Sequence, residues 1–246
     1  MSDILRILQR GYELIWREDR VEDALRGLGA DFEWIVPDHP EGARRRGPQA
    51  AIDFFEDWRT QFDDLEVSWE LEDIGADRAL ALTSTTGRGR VSGAPVEMRF
   101  AQVWTFREGR FVRMVIGDTP LLAIARDGVE RYRHDGFEGT LDFYTEDVVW
   151  EEDPEWPDGQ VWHGREGVRS AFRERLESTS IAVEFEEVTE RDHRVLVVMR
   201  WAAQGLGSGA QAVVRPAVIW YFEGRLINRA RFFLDRERAR REFEAG

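Results

Sequence analysis

The hydrophobic pattern of the chain changes from helical to strand-like, and the change occurs twice. In the first half, apolar residues recur at helical spacing over residues 4–16 and again over residues 51–62, which predicts two amphipathic helices. A short helix at 21–28 and a strand at 31–36 lie between them. Over residues 65–72 the period becomes two, with Leu, Val and Trp alternating with Glu and Ser, as in a half-buried strand.

Further alternating segments follow in each half. In the first half they predict strands at 79–87, 95–106 and 111–116. The second half repeats the order, with a helix at 135–144, a strand at 148–152 and a helix around residues 168–176. Strands are then predicted at 181–188, 194–201, 212–222 and 226–233, and a charged helix from about Asp235. Pro216 cannot donate to a ladder and marks a bulge or an edge.

Short motifs repeat along with the pattern. Asp31-Phe-Glu-Trp34 returns as Asp147-Val-Val-Trp150, and each copy is followed by an acidic, Pro-containing loop. Gly47-Pro-Gln and Gly164-Arg-Glu then open the next helix. Each half closes on a Trp-bearing hairpin, Trp104-Thr-Phe-Arg-Glu-Gly-Arg or Trp220-Tyr-Phe-Glu-Gly-Arg. A period of half the chain indicates two copies of one domain, since solenoid units are about 20–50 residues long. We therefore predict domains at 1–127 and 128–246.

Composition limits the classes of protein that remain. The 246 residues are 42% hydrophobic and 33% charged, which is typical of soluble globular domains. No apolar run approaches the roughly 20 residues of a membrane span, and the N-terminus lacks the pattern of a signal peptide. Cys is absent, so we expect neither disulfides nor thiol chemistry, and a cytoplasmic location is the default expectation.

The charge distribution argues against nucleic-acid and membrane partners. The net charge is −14, and the one dense basic cluster of the first half, Arg44-Arg45-Arg46, is flanked by acids. A protein that binds a phosphate backbone needs clustered Lys and Arg. We expect neither nucleic acid nor membrane to be a partner.

The order and spacing of these motifs resemble the SnoaL-like, nuclear transport factor 2-like superfamily, over nearly the whole of both halves. The resemblance implies an α+β fold of two cystatin-like cone domains, each a curved antiparallel sheet wrapped around helices. It also implies that the two copies pack as an internal pseudo-dimer, which would be a monomer or a weak homodimer in solution. The superfamily includes ketosteroid isomerases, polyketide cyclases, dehydratases and non-enzymatic binding domains, so function must be argued from the site.

Ketosteroid isomerases provide a template for the first half. Their chemistry needs an Asp base together with a Tyr and a protonated acid that donate to the enolate oxygen. Tyr12 matches the Tyr, but the base position falls on Val36 and the second acid on Gln102. This half therefore lacks a complete isomerase set.

The second half offers a different candidate set. The base position falls on Glu152, while the Tyr position falls near Gly128 and the second acid on Val218. A buried Glu152 would have a raised pKa suited to proton abstraction, with Asp153 or His163 assisting. The alternative is a solvated acidic loop and a surface His, and the consecutive acids before Pro154 favour it.

Aromatic and amide residues are the candidates for ligand contact. Gln102 interrupts an apolar stripe, and its buried amide needs a partner, either Tyr12 or a ligand carbonyl. Trp69 and Trp201 are expected on strands whose outer face is a candidate for the sheet–sheet interface. Aromatic residues expected on the cone walls or helix cover suit a flat apolar ligand, although ordinary core packing is the alternative. The ligand-binding candidates are Tyr12, Trp34, Trp58, Gln102, Trp104, Trp150, Trp162 and Trp220.

Metal and cofactor chemistry has no support in the sequence. The four His are scattered, Cys is absent, and no glycine-rich nucleotide-binding motif is present. We expect no metal and no cofactor. Two hypotheses remain open: a cofactor-independent proton-transfer enzyme acting on a small apolar molecule, of isomerase, cyclase or lyase type, or a non-catalytic binding or scaffold module.

Overall fold

The computed structural model describes residues 2–36, 44–156, 159–207 and 209–246. The chain forms two compact units, Met1–Ile124 (unit 1) and Ala125–Gly246 (unit 2), which we treat separately. The predicted domain boundary between residues 127 and 128 lies inside a helix, Pro120–Asp135, rather than in a linker. Among the described residues, no helix is long and apolar enough to span a bilayer.

Unit 1 is a mixed α+β domain built on one six-stranded sheet. The strand order is β2-β1-β6-β5-β4-β3, and only the β1–β6 pair is parallel. Its elements are α1 (Asp3–Trp16), α2 (Val21–Leu25), β1 (Leu28–Ile35), β2 (Arg44–Arg46), α3 (Pro48–Thr60), β3 (Phe62–Gly75), β4 (Arg78–Gly89), β5 (Pro95–Arg107) and β6 (Arg110–Gly117).

The helices of unit 1 cover one face of this sheet. Helix α1 begins at Ser2, whose hydroxyl accepts a hydrogen bond from the amide of Leu5 at 3.4 Å, as expected of an N-cap. Its apolar stripe, with Leu8 and Tyr12 buried, packs into a core shared with Phe55 of α3. The interior of unit 1 therefore lies between α1, α3 and the sheet.

Unit 2 repeats this arrangement with a different opening. Its elements are α4 (Pro120–Asp135), a 3₁₀ turn (Glu138–Phe143), β7 (Tyr144–Glu151), β8 (Val161–His163), α5 (Gly164–Ser178), β9 (Thr179–Arg191), β10 (Arg194–Gly205), β11 (Gln211–Val214), β12 (Ala217–Glu223), β13 (Leu226–Phe233) and α6 (Arg236–Ala245). The strands run β8-β7-β13-β12-β10-β11, with β9 also paired to β10, and the β13–β7 pair is parallel. Two mixed α+β domains confirm the predicted fold class.

Several predicted elements were wrong in position. The opening helix of the second half is Pro120–Asp135 rather than 135–144. The sequence pattern missed it because its first residues are buried on every side and show no helical period. The three-residue strands β2 and β8 were not predicted. The strand predicted at 212–222 is broken at residues 215–216, where Pro216 has no amide hydrogen to donate.

The side chains of Trp69 and Trp201 do not lie on the outer face of the strands that carry them. The indole N–H of Trp69 donates to Gln9 Oε1 of α1 at 2.9 Å. Trp201 is 5% exposed and stacks on Phe232, with ring centroids 5.1 Å apart. Both side chains therefore face the interior of their own unit.

Candidate functional site

Unit 1 contains two apolar cavities that share part of their walls. One has a volume of about 140 Å³ and the other about 90 Å³. Both are lined by Tyr12, Trp16, Trp34, Phe55 and Gln102. Among the described residues, neither cavity is lined by a carboxylate, a histidine or a basic side chain. The site is thus an uncharged, aromatic interior with few polar groups.

Tyr12 and Gln102 form the central polar pair of this site. Tyr12 projects from the buried face of α1, and Gln102 lies on β5 in register with Ala81 and Ile116. The Tyr12 hydroxyl donates to Gln102 Oε1, which confirms the predicted contact within the fold. Burial raises the pKa of Tyr12. The tyrosine therefore remains a neutral donor at physiological pH.

Three of the predicted tryptophans line these cavities. Trp34 of β1 lines both, and its indole N–H has no hydrogen-bond partner among the described residues. Trp58 of α3 lines the larger cavity and meets Trp16 edge-on, with centroids 6.4 Å apart. Trp104 of β5 lines the smaller cavity and meets Tyr12 edge-on at 6.4 Å. Their roles in ligand contact remain predictions.

Unit 2 has a smaller cavity of about 50 Å³. Trp150, Trp201 and Trp220 line this cavity. Trp150 and Trp220 were predicted from the sequence as ligand-binding residues, and Trp201 was not. Gly128 and Val218 also line it, at the positions that correspond to Tyr12 and Gln102 in the sequence repeat. The cavity of unit 2 therefore lacks the polar pair of unit 1. Trp162 does not line it; this residue lies on the short strand β8, paired with Trp150.

Glu152 and His163 are not brought together by the strands that carry them. In the β7–β8 ladder His163 stands opposite Val149, whereas the amide of Glu152 donates to the Gln160 carbonyl at 3.1 Å. Because side chains alternate between faces, these positions place Glu152 and His163 on opposite faces of the ladder. His163 is exposed, and Glu152 accepts from the amide of Gln160 at 3.1 Å. Neither residue lines the cavity of unit 2.

The carboxylate of Asp153 is buried and hydrogen-bonded within the fold. Asp153 is 2% exposed and accepts from the backbone amides of Glu155 at 3.0 Å and Leu234 at 2.9 Å, and from Arg238 of α6 at 3.1 Å. Burial alone would raise the pKa of Asp153, but these donors outweigh it and hold the pKa below its ordinary value. A carboxylate stabilised as an anion in this way is a poor proton acceptor.

The basic cluster of the first half is used within the fold. Arg44 donates to Glu33 Oε2 at 2.6 Å, and Arg46 donates to Glu33 Oε1 at 3.0 Å. Glu33 is buried. These arginines therefore stabilise a buried acid on β1. The segment 37–43, which includes His39, lies outside the described residues.

Comparison with known proteins establishes the family. The sequence model of the SnoaL-like domain matches residues 8–114 and again residues 125–230. Since the two matches cover most of the chain, the chain belongs to the SnoaL-like domain family and contains two copies of the domain. A comparison with curated proteins gives no match.

Solved structures are similar to about half of the chain at a time. A nuclear transport factor 2-like protein from Burkholderia pseudomallei is 19% identical, with 50% of this chain and 96% of that one covered and a TM-score of 0.42. A protein of the same description from Burkholderia thailandensis is 18% identical, with coverages of 47% and 89% and a TM-score of 0.44. TerC, crystallised with polyporic acid, is 18% identical, with coverages of 51% and 99% and a TM-score of 0.43.

Proposed function

We propose that unit 1 is a binding domain for a small, uncharged ring molecule, which lies in the 140 Å³ cavity with its polar group at Gln102. The observation that carries this proposal is the Tyr12–Gln102 pair in the shared wall of two aromatic cavities. Aromatic walls with a few placed polar groups are typical of small-molecule sites.

The volume limits the size of the ligand. An engineered protein cavity of about 150 Å³ binds benzene, whereas drug-sized ligands occupy clefts of about 300–1,000 Å³. A cavity of about 140 Å³ therefore favours a molecule with one ring. The adjoining cavity of about 90 Å³ gives room for a short substituent.

The polar pair limits the chemistry of the ligand. Because Gln102 Oε1 accepts from Tyr12, its amide nitrogen remains to donate to a ligand oxygen. A charged ligand would be costly, since burying an unpaired charge is unfavourable and the described lining carries no counter-charge. A neutral ring compound with a carbonyl oxygen meets both conditions.

Proton transfer is the second candidate function, and the sequence assigns it to Glu152 with Asp153 or His163. The positions of these residues favour binding over turnover, because none of the three lines a described cavity. If a substrate is identified, Glu152→Gln is the variant to assay. A large fall in turnover with unchanged folding would restore the catalytic hypothesis.

The binding proposal is tested with benzaldehyde and toluene, which share a benzene ring with one substituent carbon and differ in the carbonyl oxygen. We expect both to bind, benzaldehyde more tightly, and Gln102→Leu to weaken benzaldehyde about tenfold, the equivalent of one hydrogen bond of ~1.4 kcal/mol. Toluene should be nearly unaffected. Isothermal titration calorimetry or competition by ligand-observed NMR measures both affinities.

The matched control is Gln49→Leu, which removes an exposed amide of α3. It should leave both affinities unchanged. Failure of both compounds to bind would refute a ring-binding cavity. Equal losses of benzaldehyde and toluene in Gln102→Leu would refute the role of the amide.

A further inference from the structure

Unit 2 concentrates hydrogen-bond donors without partners around its cavity. Trp150, Trp201 and Trp220 line the cavity and are 3%, 5% and 9% exposed. Their three indole N–H groups are buried and have no hydrogen-bond partner among the described residues. Most buried polar groups in proteins are paired, so three unpaired donors around one cavity call for an explanation.

Two of these tryptophans stand on either side of one strand. Trp150 and Trp220 stand on the two strands that flank β13, and both are in register with Ala230. The nearest described ring partners of Trp150 are Phe172 and Tyr144, at 5.1 and 6.5 Å. Indole is a donor only, and two indoles cannot satisfy each other.

The remaining polar groups of the lining are hydroxyls. Thr140 donates to the carbonyl of Phe137 at 2.7 Å. Burial raises the pKa of Tyr144 and of Tyr132, so both stay protonated at neutral pH. The described lining has no charged side chain. The cavity is consequently rich in neutral donors, and the side-chain acceptors of its described lining are hydroxyl oxygens.

We propose that the cavity of unit 2 binds a compact neutral molecule that accepts hydrogen bonds, of the small-ketone class, through the indole N–H groups of Trp150, Trp201 and Trp220. The volume of about 50 Å³ exceeds the roughly 10–15 Å³ that one water needs, yet is far below that of a drug-sized site. An anion is disfavoured because no cation lines the cavity. This site is independent of the one proposed in unit 1.

Indole N–H signals provide a direct test, because they are resolved from the backbone amides in a ¹H–¹⁵N correlation spectrum. The chain has ten tryptophans, and single Trp→Phe variants assign the signals. The probes are acetone and isobutene, which have the same shape but differ in the acceptor oxygen. We expect the signals of Trp150, Trp201 and Trp220 to shift in a saturable way with acetone and to respond weakly to isobutene.

The indole of Trp69 is the internal control, since its N–H already donates to Gln9 and should not move. Equal responses to acetone and isobutene would overturn the proposal, because the cavity would then select only for shape. Signals that show contacts to bound water and ignore acetone would also overturn it, since the donors would then serve water. If a Trp→Phe variant fails to fold, through-bond assignment of the unaltered protein replaces it.

Discussion

Single residues separate the two copies of the domain more sharply than the fold does. Unit 1 has Tyr12 and Gln102 where unit 2 has Gly128 and Val218. The first pair forms a hydrogen bond in an aromatic wall, whereas the second contributes no polar side-chain atom to its wall. Two sites of the same origin therefore have different donor and acceptor inventories, and we expect different ligands.

The polar pair of unit 1 could be predicted from sequence, whereas Trp201 could not be placed. Gln102 was conspicuous because it interrupts an alternating apolar stripe on β5. Trp201 lies on β10, where the residues from Arg194 to Met199 are all buried, so alternation does not tell the two faces apart. Strand register, which the sequence does not reveal, places Glu152 and His163 on opposite faces of the β7–β8 ladder.

Asp153 gives the first prediction at this scale. Asp153→Asn should lower the free energy of unfolding by about 2 kcal/mol at pH 7, because it replaces a charged acceptor of three hydrogen bonds by an amide. Urea unfolding followed by tryptophan fluorescence measures the loss. The control is Asp192→Asn, a mostly exposed carboxylate, which should change little.

The lowered pKa of Asp153 predicts that its contribution to the free energy of unfolding depends on pH. The pKa of Asp153 is lowered in the folded protein, so its contribution to stability is present above the unfolded-state pKa of about 3.9. That contribution is lost as the pH falls through the folded-state pKa. The difference between the unaltered protein and Asp153→Asn should therefore shrink below about pH 4. A difference that stays constant down to pH 2 would contradict this account.

At the scale of elements, the same turn opens the second long helix of each unit. Gly47 precedes α3 with φ +82° and ψ 156°, a conformation accessible to glycine and strained for other residues. Gly164, in the corresponding position, has φ +69° and opens α5. The repeated Gly-x-x motif of the sequence thus marks a backbone requirement rather than a binding function.

This requirement can be tested by alanine substitution. Gly47→Ala should cost about 1–3 kcal/mol through backbone strain alone, since the nearest atom to an added Cβ is the Ala30 carbonyl oxygen at 3.8 Å. Gly164→Ala should cost more, because its Cβ would lie 3.0 Å from the Glu146 carbonyl oxygen. Thermal unfolding measures both. Gly11→Ala, in the interior of α1 with no atom within 4 Å, should instead raise stability by about 0.5–1 kcal/mol.

Elements whose pattern depends on tertiary context escaped prediction. The first turns of α4, with Leu121, Leu122 and Ile124 buried, look like an apolar linker because the helix has no exposed face there. Strand β2 consists of three arginines, and its strand conformation depends on pairing with Glu33, Trp34 and Ile35 of β1. Long strands with clear alternation, such as β3 and β5, were predicted within a few residues.

At the scale of the molecule, the two SnoaL-like domains of one chain contain cavities whose polar linings differ. The cavities of unit 1 share the hydrogen-bonded Tyr12–Gln102 pair, whereas the cavity of unit 2 has indole and hydroxyl groups but no such pair. If the two proposals are correct, the sites should respond to different variants as well as to different ligands. The doubled variant Tyr12→Phe/Gln102→Leu removes the polar pair of unit 1 alone.

We expect this doubled variant to lose its preference for benzaldehyde over toluene, because the amide and hydroxyl donors of the polar pair are removed. The response of the Trp150, Trp201 and Trp220 indole signals to acetone should be unchanged, since none of these residues lines the cavities of unit 1. Calorimetry with the ring compounds and the indole spectrum with acetone, recorded on one sample, measure both. Loss of the acetone response in this variant would show that the two sites are not independent, and an undiminished preference for benzaldehyde would place the carbonyl away from Gln102.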